Sequence, residues 1–502
     1  MKAKRPRTLP AATAQAAAPD PPVLVLDLGT ASLRAVLVDS RGRAGHPVSR
    51  PWAGSLPGSS PGLIWRYLCS ATREVLDRAG VDRVAAITVT GRPDGHVLLD
   101  GRGREIPQVP DPGSPRVPPE VSARAYRLTG HRSSAARERL WWLGRERPDV
   151  LKRAACFLTL PSWVVFRLAG EPLEEPSLAS SSGLVELSRP AWSTGMFDEL
   201  GLPPRIAPPL VRAGHRLALR PGAARHLGIA AGTPVVVAGA GSRCAAAGCG
   251  GPPENEAAAI LGATAVVQVA LDHPVTAPRR HLPAGHHLEP GRWALDSPAG
   301  PAGLVWEWFN EAFGPSSGDL AWRSGLSDHQ WLEREAGQSP PGKALAHLGP
   351  TVWGERRSDR LALVFPDGPP PPVSRGAFAR AILESIACAV RGNLEQLEEA
   401  TGEVVKTVRV GGGMLRSRLL VSIVAGITGR SVIPAPTPET AAVGAAACAA
   451  TGLGWHCSVA AAIGVMTAPG PPIPPDHESG AYEDLYRRWR EFGGRRRREG
   501  RG

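Results

Sequence analysis

The chain opens its ordered pattern with Val23 to Leu26, an unbroken apolar run, and repeats one from Ala35 to Val38. Short apolar runs bounded by turn residues read as buried strands, so the two predict a hairpin. Its turn, Asp27 to Ser32, carries an acid, a glycine and two hydroxyls. Val84 to Val89 and His96 to Leu99 read as further strands, Leu140 to Leu151 and Pro161 to Leu168 as helices. A second strand-rich block starts at Gly232-Thr233-Pro234 and runs through Val235 to Val237 into Gly239-Ala240-Gly241-Ser242. Ala258 to Leu261, then Gly262-Ala263-Thr264, then Val266 to Leu271 give another strand, turn and strand, an echo of the first hairpin. That one echo points to two similar halves facing each other.

The last third has the clearest periodicity. Ser374 is placed to cap a helix whose apolar stripe is Phe378, Ile382, Ile386, Val390, Leu394 and Leu397, closing at Gly402. A strand, Thr407 to Val410, leads into Gly411-Gly412-Gly413 and a helix with Leu420, Ile423, Val424 and Ile427 on one face. After Ser431 to Ile433, a small-residue helix is expected from Glu439 to Ala450. Strands alternating with helices predict an α/β fold. Pro366 to Pro372 and Pro469 to Pro475 read as surface loops.

Composition narrows the class. With 502 residues the chain can hold two or three domains, and 42% hydrophobic with 21% charged residues is an ordinary globular balance. No apolar run is long enough to span a bilayer, and Met1 to Pro22 lacks the apolar segment of a secretory signal. The net charge of +12 raises nucleic acid as a partner, yet the one dense basic cluster is Arg495 to Arg498, which reads as a solvated tail. Seven cysteines without a C-x-x-C pair fit a reduced, cytoplasmic interior.

The Asp27 turn carries the first candidate chemistry. A tight glycine turn leaves backbone N–H groups for phosphate oxygens, Thr30 and Ser32 add hydroxyl donors, and Asp27 can hold a magnesium ion. Alone, it reads more readily as an ordinary polar hairpin turn. Its neighbours along the chain change that. Asp27-Leu28-Gly29-Thr30-Ala31-Ser32-Leu33-Arg34 resembles the first phosphate motif of the FGGY carbohydrate kinases. Gly91-Arg92-Pro93-Asp94-Gly95-His96 is similar to their sugar-side segment, and Arg139 to Pro148 to a later helix of theirs. Trp353-Gly354-Glu355-Arg356, Gly412-Gly413-Met414-Leu415-Arg416-Ser417 and Ala442-Val443-Gly444 continue the pattern in order.

The resemblance implies two ribonuclease-H-like, actin-like ATPase domains facing a cleft, with a basic Ala/Pro tail over 1–21, a sugar-side domain over 22–253, a nucleotide-side domain over 254–490 and an Arg-rich tail over 491–502. It implies ATP with Mg2+ as cofactors and a sugar, sugar acid or polyol as acceptor, on the gluconokinase and xylulokinase side of the family. No nucleic acid and no membrane are expected as partners, and a homodimer is left open. Asp27, Gly29, Thr30, Ser32, Arg34, Gly262, Thr264, Gly411, Gly412 and Gly413 are the implied nucleotide and phosphate residues, Asp27 also the metal ligand. Arg92, Asp94, Asp111 and Ser242 are the implied substrate residues.

Several positions depart from the family pattern. Where the family has a general-base Asp, this chain has Ser242, and a serine hydroxyl is a poor proton acceptor at neutral pH. The second phosphate turn keeps one hydroxyl, Thr264, and Arg92 and Asp94 replace a Gln and a His. Two readings follow: an active kinase with Asp94 or Asp111 as replacement base, or a catalytically impaired paralogue that retains nucleotide or metabolite binding. Arg243 could then hold a phosphate or pair with a carboxylate. Three other features are set aside. Gly337 to Lys343 has P-loop spacing but follows a helix-like segment and lacks the Ser/Thr; His281, His286, His287 and Glu289 fit a surface loop better than a metal site; Cys244 and Cys249 read as packing residues.

Overall fold

The computed structural model describes residues 20–52, 60–93, 95–107, 116–251, 253–276, 281–314, 325–349, 351–352, 361–364, 374–475 and 479–499. Asp94, Asp111, Trp353 to Arg356, the loop Pro366 to Pro372 and most of the N-terminal tail lie outside the described residues.

The strands of the first half are β1 (Val23–Leu28), β2 (Ser32–Val38), β3 (Val48–Pro51), β4 (Ala86–Gly91), β5 (His96–Asp100), β6 (Ala154–Thr159), β7 (Arg216–Ala218) and β8 (Pro234–Ala240). Those of the second are β9 (Glu256–Leu261), β10 (Ala265–Leu271), β11 (Ala284–His286), β12 (Trp293–Gly300), β13 (Leu345–Leu348), β14 (Leu361–Val364), β15 (Thr407–Gly411) and β16 (Ser431–Pro434). The first large sheet has the order β3-β2-β1-β4-β8-β7, the second β11-β12-β10-β9-β15-β16. In both, the first strand pairs antiparallel with the second and parallel with a later one, β4 or β15, beyond which a further parallel strand follows, β8 or β16. The duplicated, two-domain α/β architecture expected from the sequence is therefore present.

Each sheet is buried on both faces, which is why its parallel strands read as apolar runs. One face of the first sheet packs Leu24, Leu26, Ile87 and Val89 on the helices Pro61–Ala79 and Leu160–Ala169. Its other face, Val23, Val25, Val36, Ala86 and Val236, is covered by Ala442 to Met466, from the far end of the chain. Reciprocally, Ala245, Ala246 and Cys249, on or next to the helix Gly241–Gly248 of the first half, pack on Ala258 and Ile260 of the second sheet. These two crossed helices meet at small residues: a Cβ on Gly444 would lie 1.9 Å from the Cys244 carbonyl oxygen, so only glycine allows the approach. The second sheet's main core is closed by the 27-residue helix Arg375–Thr401. Ser374 caps it by accepting the Ala377 N–H, and Gly402 ends it in the left-handed conformation.

Two local expectations are corrected. The helix expected from Leu140 to Leu151 is two helices, Ala135–Glu146 and Pro148–Arg153, because Arg147 precedes a proline and is pushed out of the helical region, to φ −138. The segment carrying His281 to His287 is no surface loop throughout: Ala284–His286 forms β11 and His286 is buried, its ring against the Glu186 carbonyl at 2.9 Å. Among the described residues no group of three metal-ligating side chains forms, and no helix is long and apolar enough to cross a membrane.

Candidate active site

Parallel strands end together, and the residues after their C-termini gather at one edge of the sheet. Leu28, Gly91 and Ala240 are in register across β1, β4 and β8. Asp27, Arg92 and Ser242 are thereby brought to one edge of the first sheet. On the second sheet Gly411 is in register with Ile260, which sets the triplet Gly411 to Gly413 beside Gly262 and Thr264. The edges meet through the crossed helices.

The first turn is tight: Gly29 N–H donates to Ser32 O at 3.0 Å, and Trp52 Nε1 and N–H hold the Gly29 and Ala31 carbonyls, both at 3.0 Å. The Thr30 and Ser32 hydroxyls and Asp27 Oδ1 make no hydrogen bond among the described residues. Asp27 itself is buried, and its Oδ2 accepts from Arg34 Nη2 at 2.5 Å. Arg34 also donates to Glu439 Oε2 at 2.9 Å, and the Asp27 carboxylate first, then Glu439, hold its pKa above the usual guanidinium value. Glu439 Oε1 accepts from Arg416 at 3.1 Å. Glu439 escaped the sequence reading because a Glu at a helix start is commonplace.

The second turn differs. Its Gly262 and Ala263 carbonyls accept the Gly303 and Leu304 N–H groups, both at 3.0 Å, and so tie down the start of the helix Ala302–Phe313. Thr264 is exposed and its hydroxyl makes no hydrogen bond among the described residues.

The glycine triplet is not uniform. A Cβ at Gly411 would meet Cys249 Sγ at 2.3 Å, and one at Gly412, whose φ is +93, would meet Leu261 O at 2.6 Å. Those two glycines are required by the protein's own packing. Gly413 has nothing within 4 Å of that position, so of the three it alone offers open backbone to a ligand.

At the altered base position, Ser242 starts the helix Gly241–Gly248, and its carbonyl accepts from Gln268 Nε2 at 2.8 Å. Arg243 is spent on the protein: it is buried, paired with Asp296, and donates to Gln268 Oε1 at 2.9 Å. Beneath this turn Ser177 Oγ accepts the Ala240 N–H at 2.9 Å and donates to Glu175 Oε2 at 2.5 Å. Burial pushes the Glu175 carboxyl up to about 7 and its neighbour Glu174 to about 8. Both carboxylates are spent on structure, Glu175 on the N–H groups of Ser177 and Leu178, Glu174 on Thr159 and Ser162. Arg92 is half-buried with its N–H on Leu28 O at 2.9 Å. The P-loop-like segment is excluded on geometry, since the Gly342 N–H is directed at buried Glu384.

The residues fit a nucleotide with one divalent cation. Mg2+ is usually held by one or two carboxylates plus substrate phosphates, and Asp27 Oδ1 is an unspent carboxylate oxygen beside unspent hydroxyls.

Models of the N-terminal and C-terminal domains of the FGGY family of carbohydrate kinases match residues 122–248 and 257–453. The autoinducer-2 kinase of Salmonella typhimurium is 28% identical over 464 residues, 87% of each chain. The ligand-bound xylulose kinase of Lactobacillus acidophilus superposes with a TM-score of 0.77 at 18% identity, covering 94% of this chain and 97% of that one. The glycerol kinase of Plasmodium falciparum with ADP gives 0.75 at 16% identity, over 94% and 98%. The two solved structures share the fold.

Proposed function

Because the chain belongs to the FGGY family of carbohydrate kinases, we propose that it transfers the γ-phosphoryl group of ATP to a hydroxyl of a sugar, sugar acid or polyol. The observation that carries this reading is the first turn: a buried acid ending a parallel strand, with two unspent hydroxyls beside it. Thr30, Ser32 and Thr264 donate to phosphate oxygens, Arg34 offsets their charge, and Gly413 admits the nucleoside. Asp27 and the phosphates would hold Mg2+, which when bound neutralises charge developing in the transition state. Arg92 and Ser242 face the acceptor. Ser242 orients the attacking hydroxyl by hydrogen bonding instead of taking its proton, and a loose phosphoryl-transfer transition state needs little early proton removal.

The test is ADP release over a panel containing xylulose, gluconate, glycerol and autoinducer-2. Acceptor-dependent ADP formation that is lost in Asp27→Asn supports the reading. A second reading rests on one observation: no described carboxylate stands at the base position, and Arg243 is committed to Asp296. On it the protein binds nucleotide without turnover. Calorimetric Mg-ADP binding with no ADP release from Mg-ATP on any acceptor would establish that reading, and absence of binding would sink both.

A further inference from the structure

Glu439 stands where the two halves of the site meet. It precedes the helix Thr440–Gly452, yet its carboxylate does not cap that helix; it is shared between two arginines from different halves of the chain. Arg34 lies on β2 of the first sheet, 2.9 Å away, and Arg416 follows the glycine triplet of the second, 3.1 Å away. With Asp27 on Arg34 at 2.5 Å, the four side chains form one alternating chain, Asp27–Arg34–Glu439–Arg416. Two carboxylates and two guanidiniums sum to zero. Glu439 is 5% exposed, so its charge is poorly screened, whereas Arg416 is mostly exposed.

A neutral cluster gives a nucleotide's phosphates little net attraction. Both arginines that could meet the phosphates are already held by carboxylates. A divalent cation changes this balance, since it brings positive charge of its own and draws on Asp27, leaving Arg34 freer to turn to phosphate oxygens.

We propose that Glu439 is a specificity-determining residue that makes the site select the metal chelate of a nucleoside polyphosphate over the metal-free anion. It acts by holding Arg34 and Arg416 in a charge-balanced cluster. The inference rests on the nucleotide reading above. Removing the Glu439 charge leaves the cluster at net +1. A unit charge a few ångströms from a polyphosphate strengthens its binding roughly tenfold at a partly solvated site. Removing Arg416 leaves it at net −1 and acts in the opposite direction.

The experiment is calorimetric titration of ADP, in excess Mg2+ and in EDTA, into wild type, Glu439→Gln and Arg416→Gln, each first shown folded by thermal melting. Wild type is expected to bind the magnesium form and to bind metal-free ADP much more weakly. Glu439→Gln should tighten metal-free ADP roughly tenfold and shrink the ratio between the two forms. Arg416→Gln, at an exposed position that leaves folding intact, should weaken metal-free ADP. A merely structural Glu439 would weaken both forms together. An unchanged ratio in Glu439→Gln, or a change of the same sign in both variants, overturns the inference while leaving the nucleotide reading standing. Should Glu439→Gln fail to fold, an Arg416→Gln that binds metal-free ADP as wild type does overturns it alone. Failure of wild type to bind ADP in either condition overturns both.

Discussion

The two large sheets share the order and pairing directions of five strands, yet their first turns have diverged. The turn after β1 keeps a buried acid and spends none of its hydroxyls on the protein. The turn after β9 has no acid and uses two carbonyls to anchor the helix Ala302–Phe313. The first hairpin thus leaves its polar atoms unspent, whereas the second commits two carbonyls to scaffolding. What separates them is how many polar atoms the protein leaves unsatisfied, together with the loop itself, longer between Leu28 and Leu33 than between Leu261 and Ala265.

The sharpest test of that difference is to disable each turn in turn. Asp27→Asn should lower turnover and magnesium-dependent nucleotide affinity by about 10²–10³-fold, as expected for loss of a metal carboxylate. Thr264→Ala should cost less than about tenfold, the worth of one hydrogen bond. Steady-state ADP release and calorimetry read both, and equal losses would mean that the two turns are functionally equivalent.

Next in size is Ser242→Asp, which restores a carboxylate at the edge of the first sheet. Since Arg243 is occupied by Asp296 and Gln268, it does not neutralise the new acid. Turnover should rise about 10²-fold on any acceptor the wild type uses, the usual worth of general-base assistance. A decrease would indicate that another carboxylate already does this work.

Within the glycine triplet, Gly412→Ala should destabilise the fold by about 2–3 kcal/mol, for strain at φ +93 and a clash with Leu261 O. Gly413→Ala should shift the melting temperature little and weaken nucleotide binding instead. Equal melting shifts would contradict the split described above.

The smallest effect concerns pH. Glu174, with its pKa raised to about 8, keeps its proton in the folded state while the unfolded chain has already lost it above about 4.5. The folded state therefore binds the extra proton in that window, and stability falls as pH rises through it, by at most about 1.4 kcal/mol per pH unit. Glu175, raised to about 7, acts in the same direction. Glu174→Gln should flatten the loss between pH 6 and 8 by on the order of 1 kcal/mol in urea melts. Half-buried His131 and His287, both held near 3 chiefly by desolvation, act oppositely at the acid end: stability falls as pH drops below about 6.5.

Much of the fold was legible because its signals are local. The strand read from Val23 to Leu26, the Ser374 cap and the Gly402 stop need only neighbours in sequence, and all three stand in the structure, the strand running on to Leu28. Local reading failed at Arg147 by overlooking the proline that follows. For the candidate site, strand-end residues such as Asp27 and Ser242 could be found because a motif sits on one turn. Glu439 and Asp296 could not, since each gains its role from an arginine hundreds or tens of residues away. Gly411 and Gly412 are the subtler case: their composition invited a ligand explanation, whereas Cys249 and Leu261 already require them.

The exchange of helices between the halves has a consequence for how the chain is made. As synthesis proceeds from the N-terminus, β1, β2, β4 and β8 emerge long before Ala442 to Met466, which supply most of the cover on their Val23–Val25–Val236 face. Until then that valine surface is open to water and to other nascent chains, a natural recognition site for a ribosome-associated chaperone. A fragment cut at the midpoint keeps the whole first sheet and still lacks one wall of its interior. Such a fragment should aggregate, and the missing segment supplied as a separate peptide is the natural candidate to rescue it.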